Sequence, residues 1–361
     1  MSSFAEKMIR WQESYGRHHL PWQNIRDPYV IWVSEVMLQQ TQVTTVIPYY
    51  LRFLQRFPDL NSLASASLDE VLAQWSGLGY YSRGRNLHRT AQLIVRDHQG
   101  IFPEKVEVIC QLPGVGRSTA AAIAVFAYGA RCAILDGNVK RILARCFGIE
   151  RYPGERKIEA LLWQKAQELL PEQGEKDVNG GIEAYTQALM DLGATVCTRI
   201  KPKCAICPLQ SDCTAFRNDA VGRLPAPKPR KPMPERETVL LMLMAQGKIL
   251  LEKRPARGIW GGLWCLPEMP VSENAIEYCA RHFGMEVQPL PPRIPSFVHI
   301  FTHFRLRIHP HPLQLNLSSS ATTGDHIGVE RMWTTLADAL TVAIPAPVAK
   351  LLNMAVASRN A

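Results

Sequence analysis

LPGVGRSTAAAIAVFAYG at residues 112–129, followed by ILDGNVKRILAR at 134–145, decides the fold of the first half of this chain. Leu112 and Pro113 end one helix, and Gly114-Val115-Gly116 makes a tight turn, where glycine's access to positive φ is useful. A second helix is expected from about Arg117. Bare N–H groups at that helix start favour an anion, a phosphate above all. The alanines that follow let another helix pack very close. Asp136 then caps a third helix, expected from about Val139 to Arg145, which puts it near the surface of the glycine turn if the helices fold back.

Working outward, Asp27-Pro28 is a strong helix start, with Asp as N-cap and Pro at the first helical position. The helix that follows, YVIWVSEVMLQQ, is apolar almost all round and therefore expected to be buried. Glu35 lies in its middle, with Ile31, Trp32, Leu38 and Gln39 three and four positions away. A carboxylate there is desolvated, its pKa is raised, and it can act as an acid near neutral pH. The alternative is a glutamate that tips out to solvent. Further on, Gly77-Leu78-Gly79-Tyr80-Tyr81-Ser82-Arg83-Gly84-Arg85 interleaves aromatic rings with cations on a glycine-rich turn. That composition suits a surface that wedges between bases while holding phosphates, or simply two tyrosines packed at a helix start.

Cys197, Cys204, Cys207 and Cys213 are spaced C-x6-C-x2-C-x5-C. Four thiols within so short a run ask for a metal. Zinc is the usual guest of four cysteines, but a zinc ribbon shows two C-x-x-C knuckles set well apart, and this run has one. The loop between the first two cysteines carries Arg199, Lys201 and Lys203, a plausible phosphate-binding finger. Cys110, Cys132, Cys146, Cys265 and Cys279 sit in apolar or helical contexts and read as small core residues. A disulfide framework is not expected, and a reducing interior is.

The 361 residues carry a net charge of +9, which suits a polyanionic partner. No apolar run is long enough for a membrane span, and the N-terminus has no apolar core of a signal peptide. A cytoplasmic location, in association with the nucleoid, is the expectation.

The LPGVG hairpin, Asp136 and the four-cysteine run together resemble the helix-hairpin-helix DNA glycosylases that carry a 4Fe–4S cluster, over about residues 5–215. The resemblance implies an iron–sulfur cluster rather than zinc, with a structural role in holding the basic loop on DNA. Gly114, Val115 and Gly116 become a backbone contact to DNA. Endonuclease III-like members have a lysine nucleophile at the position of Ser118, and a hydroxyl cannot form their Schiff base. Glu35 in SEVMLQQTQV, with Gln40, Tyr80, Asn138 and the long C-terminal extension, resembles the MutY-type adenine glycosylases instead. The implied activity is hydrolysis of adenine opposite 8-oxoguanine, with guanine as a second opposite base, in double-stranded DNA, by a monomer and without strand nicking. Glu35 is then the acid and Asp136 stabilises the cationic sugar. Asn138 and Ser118 support that pocket, and Gln40 and Tyr80 fill or wedge the gap left by the extruded base. Two alternatives stand: a bifunctional pyrimidine glycosylase/lyase, and a DNA-binding protein without catalysis.

The expected fold class is multidomain, all-α followed by α+β. Residues 1–224 form the helix-hairpin-helix domain with its cluster loop at 197–213. Residues 225–235, rich in proline and basic residues, form a semi-rigid extended linker. Residues 236–361 read as strands and helices: ETVLLMLM and GKILLEKR as a hairpin, SENAIEYCARHFG as a helix, FVHIFTHFRLRIHP as one alternating strand, PVAKLLNMAVA as a last helix. This part resembles a Nudix-type domain. The glutamate cluster that would bind Mg²⁺ in a catalytic Nudix box is replaced by IEYCARHFG, so no pyrophosphohydrolase activity is expected. The resemblance assigns recognition of 8-oxoguanine to Phe301, Thr302 and His303, with Thr302 where many members have serine.

Overall fold

The computed structural model describes residues 3–172, 181–229, 232–291, 294–316 and 329–359. Residues 230 and 231 of the expected linker lie outside these. The chain divides into two compact units: Met1–Ser65 with Arg89–Arg230, and Ala66–His88 with Lys231–Ala361. Residues 66–88 lie within the stretch 1–224 expected as one domain. By contact they group with the second, because Leu72 is fully buried in its core and Leu68 and Tyr81 pack against it.

The regular elements of the first unit, among its described residues, are all helices. Helix Pro28–Leu38 starts where Asp27 accepts the Tyr29 N–H, and it buries Ile31, Trp32, Val33, Val36 and Met37 on several sides. Helix Arg117–Tyr128 places Ala120, Ala121, Ala122 and Ala124 in the core. Helix Gly137–Cys146 begins two residues earlier than expected, directly after its cap Asp136. It shares a core with helix Gly181–Thr195, to which Ile142, Leu143, Leu189 and Leu192 contribute. At their closest approach a Cβ on Gly193 would stand 2.4 Å from Cβ of Asn138, so only glycine fits there.

The second unit is built on a mixed sheet. Its strands are β1 Glu235–Ala245, β2 Lys248–Lys253, β3 Trp264–Cys265, β4 Glu268–Met269, β5 Val287–Pro289, β6 Phe297–Ile300, β7 Arg305–Leu315 and β8 Arg331–Thr335. The main path runs β3-β2-β1-β7-β5. The β1–β2 hairpin turns at Gln246 and Gly247, both at positive φ (47° and 80°), as a two-residue turn of this hand requires. β1 and β7 are parallel, from Glu235↔Arg305 to Met244↔Gln314. β1 is buried on both faces, as central strands between two layers are: Leu240, Met242 and Met244 join one core, and Val239, Leu241 and Leu243 the other. Helix Ala275–Phe283, capped by Asn274, covers the second core.

The expected single strand over FVHIFTHFRLRIHP is two strands. β6 and β7 pair antiparallel, Phe297↔Ile308 through Ile300↔Arg305, around a turn at residues 301–304. The apolar alternation runs on through the turn because Phe301 and Phe304 stack on each other, centroids 4.5 Å apart, while Phe301 N–H bonds to the Phe304 carbonyl at 2.9 Å. The turn is thus hidden in the pattern.

Candidate active site and cysteine loop

The glycine turn behaves differently at its two glycines. Gly114 takes positive φ (78°), whereas Gly116 is extended, at φ −88°, and is the N-cap of helix Arg117–Tyr128. No side chain caps that helix, and a Cβ at Gly116 would meet nothing within 4 Å. The space beside Gly116 is open, while Val115 is buried and anchors the turn. Ser118, one residue into the helix, accepts the Leu135 N–H on its Oγ at 3.0 Å. That bond ties the hairpin helix to the residue before Asp136.

Asp136 accepts the Val139 N–H at 2.8 Å. Burial pushes its carboxyl above the ordinary aspartate range; the amides of Val139 and Asn138, and the nearby Arg141 and Lys140, pull the other way. Glu35, from the middle of its apolar helix, faces the same place. The residue keeps some accessible surface, but its carboxyl is enclosed: burial first, then the charge of Asp136, pushes it up to about 8. Two carboxyl groups from helices about a hundred residues apart therefore sense each other, one among apolar groups and one at a helix start with N–H donors. Gln39, at the end of the Glu35 helix, reaches Thr119 Oγ1 at 3.4 Å, which fixes that helix against the hairpin helix. Gln40 follows, exposed and with φ at 59°. Lys140 is paired with Glu159 at 2.6 Å.

Two arginines that the sequence does not single out link the helix behind Asp136 to the cysteine loop. Arg141 donates to Asn138 Oδ1 (2.8 Å), to the Gly193 carbonyl (2.7 Å) and to the Cys197 carbonyl (2.7 Å). One turn later Arg145, 3 % exposed, donates to the Leu224 and Thr198 carbonyls at 2.8 Å and approaches Cys197 Sγ at 3.3 Å. The only signal in the sequence was two arginines four apart on an amphipathic helix, which normally means a solvated face.

Cys197, Cys204, Cys207 and Cys213 line one hollow together with Ile142 and Leu192. Cys146, expected as a plain core residue, lines it too and hydrogen-bonds with Cys213, which draws the Cys213 thiol down to about 6. Burial first, then the neighbouring thiols, push Cys204 and Cys207 up, while Arg145 opposes the shift at Cys204. Among the described residues no three His, Cys, Asp or Glu side chains are grouped closely enough to hold a single ion. Four thiols in one lining are a donor set that iron–sulfur clusters and zinc both take. Arg199, Lys201 and Lys203 are exposed on the loop, with Lys201 at positive φ (51°).

In the second unit Tyr80 is 44 % exposed with φ at 48°. Arg83 lies 5.5 Å from its ring and donates to the Gly79 carbonyl at 3.2 Å. Phe301, Thr302 and His303 form the β6–β7 turn, where Thr302 Oγ1 and His303 Nδ1 are 3.2 Å apart. Glu268 is taken up by Thr238, at 2.6 Å, and by Arg254.

Comparison with known proteins bears on these features together. Residues 33–168 match the HhH-GPD superfamily of base excision DNA repair proteins, and residues 238–354 match the NUDIX domain. The adenine DNA glycosylase of Buchnera aphidicola subsp. Acyrthosiphon pisum is 37% identical over 97% of this chain and 97% of its own length. The chain belongs to the adenine DNA glycosylase family. The adenine DNA glycosylase of Mus musculus is 35% identical, covering 89% of this chain and 72% of that protein. A thermostable thymine-DNA glycosylase of known structure superposes with a TM-score of 0.51 at 27% identity, over 60% of this chain and 95% of that one. The protein is thus a base-excision-repair glycosylase that acts on adenine in DNA, with a helix-hairpin-helix domain and a Nudix-like domain. The glycosylase has no helix among its described residues long and apolar enough to cross a membrane.

Proposed function

We propose that this glycosylase, as a monomer, hydrolyses adenine paired with 8-oxoguanine in duplex DNA and leaves the strand intact. The observation that carries the reading is the Glu35–Asp136 pair. Adenine is a poor leaving group held in the stack, so the nucleotide must first be extruded, at a cost of a few kcal/mol. Gln40 and Tyr80, both exposed and both held in left-handed backbone, suit the task of filling the gap. Glu35, pushed up to about 8, carries a proton at neutral pH and gives it to an imidazole nitrogen of the base. The C1′–N9 bond breaks and its electron pair leaves with adenine. Asp136, supplied with N–H donors, faces the oxocarbenium-like sugar as an anion, the division of labour of paired glycosidase carboxylates. Water adds at C1′ and its proton returns to Glu35. Asn138 orients the Asp136 loop through Arg141, and Ser118 supports it from the other side.

Ser118 in place of an amine, and Lys140 held by Glu159, favour a purely hydrolytic enzyme over a lyase. Cys197, Cys204, Cys207 and Cys213 would hold a 4Fe–4S cluster, which supplies structure and charge for the loop bearing Arg199, Lys201 and Lys203 on the phosphate backbone. The amides at Gly114-Val115-Gly116 and the helix start behind them suit a second phosphate. Phe301, Thr302 and His303 read the base opposite adenine. Glu268, committed to Thr238 and Arg254, supports a Nudix-like domain without pyrophosphohydrolase activity. One labelled duplex with a single adenine:8-oxoguanine pair tests the reading. Cleavage only after alkali is expected. Nicking without alkali would make the protein a lyase, and no product would overturn the substrate.

A further inference from the structure

Residues 66–88 lie inside the stretch that matches the base-excision family, yet they belong to the unit built on the Nudix-like sheet. Polar links hold them there. Asp69 pairs with Lys253 at 2.8 Å. The Tyr81 hydroxyl donates to the Ile344 carbonyl at 2.8 Å and accepts the Gly77 N–H at 3.2 Å. Arg85 donates to the Gly261 carbonyl at 2.7 Å. The turn these links close is unusual, with Gly77, Gly79 and Tyr80 all at positive φ (91°, 78° and 48°). A tyrosine holds that conformation only where its surroundings enforce it.

The same links run on to the other turn of this unit. Gly261, the acceptor of Arg85, cannot carry a side chain, since a Cβ would stand 2.4 Å from the Ala256 carbonyl oxygen. Its neighbour Trp260, also left-handed (φ 56°), sets its ring 5.7 Å from that of Phe301 and 6.2 Å from that of His299. A path therefore leads from Tyr81, next to Tyr80 and the acceptor of the Arg85 N–H at 3.1 Å, through Arg85, Gly261 and Trp260 to Phe301.

We propose that Tyr81 and Arg85 are positioning residues that lock the Tyr80 turn and the Phe301-Thr302-His303 turn into one body, so that reading the base opposite adenine and wedging the duplex open are a single event. The inference rests on the proposed roles of those two turns. It assigns discrimination to residues that touch no base.

Full-length Tyr81→Phe and Arg85→Met, alongside Tyr80→Ala and Phe301→Ala, test it. Single-turnover adenine release is measured on duplexes with adenine opposite 8-oxoguanine and opposite guanine, with 2-aminopurine beside the target reporting base opening. Tyr81→Phe and Arg85→Met should each lower the rate ratio between the two duplexes by roughly five- to tenfold, the scale of one lost hydrogen bond, with slower opening on the 8-oxoguanine duplex. Arg85→Met added to Phe301→Ala should cost no more than Phe301→Ala alone, as coupled groups do. Equal losses on both duplexes, or losses that multiply in the double variant, overturn the proposal. If Tyr80→Ala and Phe301→Ala lower the ratio while Tyr81→Phe and Arg85→Met leave it intact, this inference alone fails. If Tyr80→Ala and Phe301→Ala also leave the ratio intact, the reading of the two turns fails with it.

Discussion

Glu35 and Asp136 are both carboxylates, lie within each other's field, and live in opposite surroundings. Glu35 stands in the middle of a helix, where every amide is already bonded along the helix and the neighbours are apolar. Nothing there stabilises its charge, and burial with the Asp136 charge pushes it up to about 8. Asp136 stands at a helix start, where amides still lack acceptors and one of them, Val139, bonds to it. Burial raises Asp136 as well, but the amides, Arg141 and Lys140 oppose the shift. Position along a helix, rather than residue type, thus sets the two carboxyls apart, and the proposed roles of proton donor and anion rest on that difference.

The strongest way to break this comparison is Glu35→Gln. It should cut adenine release by about 10²–10⁴-fold, the usual scale of a lost general acid, while gel-shift binding of the duplex stays near normal. Release within tenfold of the parent would end the assignment.

Asp136→Asn comes next, with a loss of roughly 10²–10³-fold from the missing countercharge. It also sharpens the comparison, because Asp136 is one of the two causes that raise Glu35. In this variant the Glu35 carboxyl, followed by carbon-detected NMR, should titrate below about 8. An unmoved titration would mean the two groups do not share a field.

A third check is pH. Glu35 is needed in its protonated form, so single-turnover rates should hold towards neutrality and fall as pH rises through about 8. The folded pKa lies above the unfolded one, so the parent should also lose stability relative to Glu35→Gln as pH climbs from the ordinary carboxylate range through about 8. Thermal melts of both proteins across that window would show it; parallel melts would contradict it.

The smallest effect concerns the support of Asp136. Ser118→Ala removes the acceptor of the Leu135 N–H and should slow release by up to roughly tenfold. Ser118→Thr, which keeps the hydroxyl, should recover most of the rate. Equal rates for all three proteins would leave Ser118 with no part in holding Asp136.

Much of this was legible before any coordinates. Asp27-Pro28, the glycine turn and Asp136 announce helix starts because caps act within three or four residues. Gln246-Gly247 announces a hairpin for the same local reason. The turn at Phe301 escaped because stacked phenylalanines preserve a strand-like alternation across it. Arg145 and Cys146 escaped because their meaning depends on Cys197 and Cys213, which lie more than fifty residues away.

Sequence alone determined the helix caps at Asp27 and Asp136, the four-thiol run, the apolar setting of Glu35 and the missing amine at Ser118, since each is set by near neighbours along the chain. Only the tertiary structure brought Asp136 within the field of Glu35, turned Arg141 and Arg145 towards the cysteine loop, and gave residues 66–88 to the C-terminal unit. Packing decides those matters because charge and burial act through space, between groups whose separation in the chain says nothing of their distance.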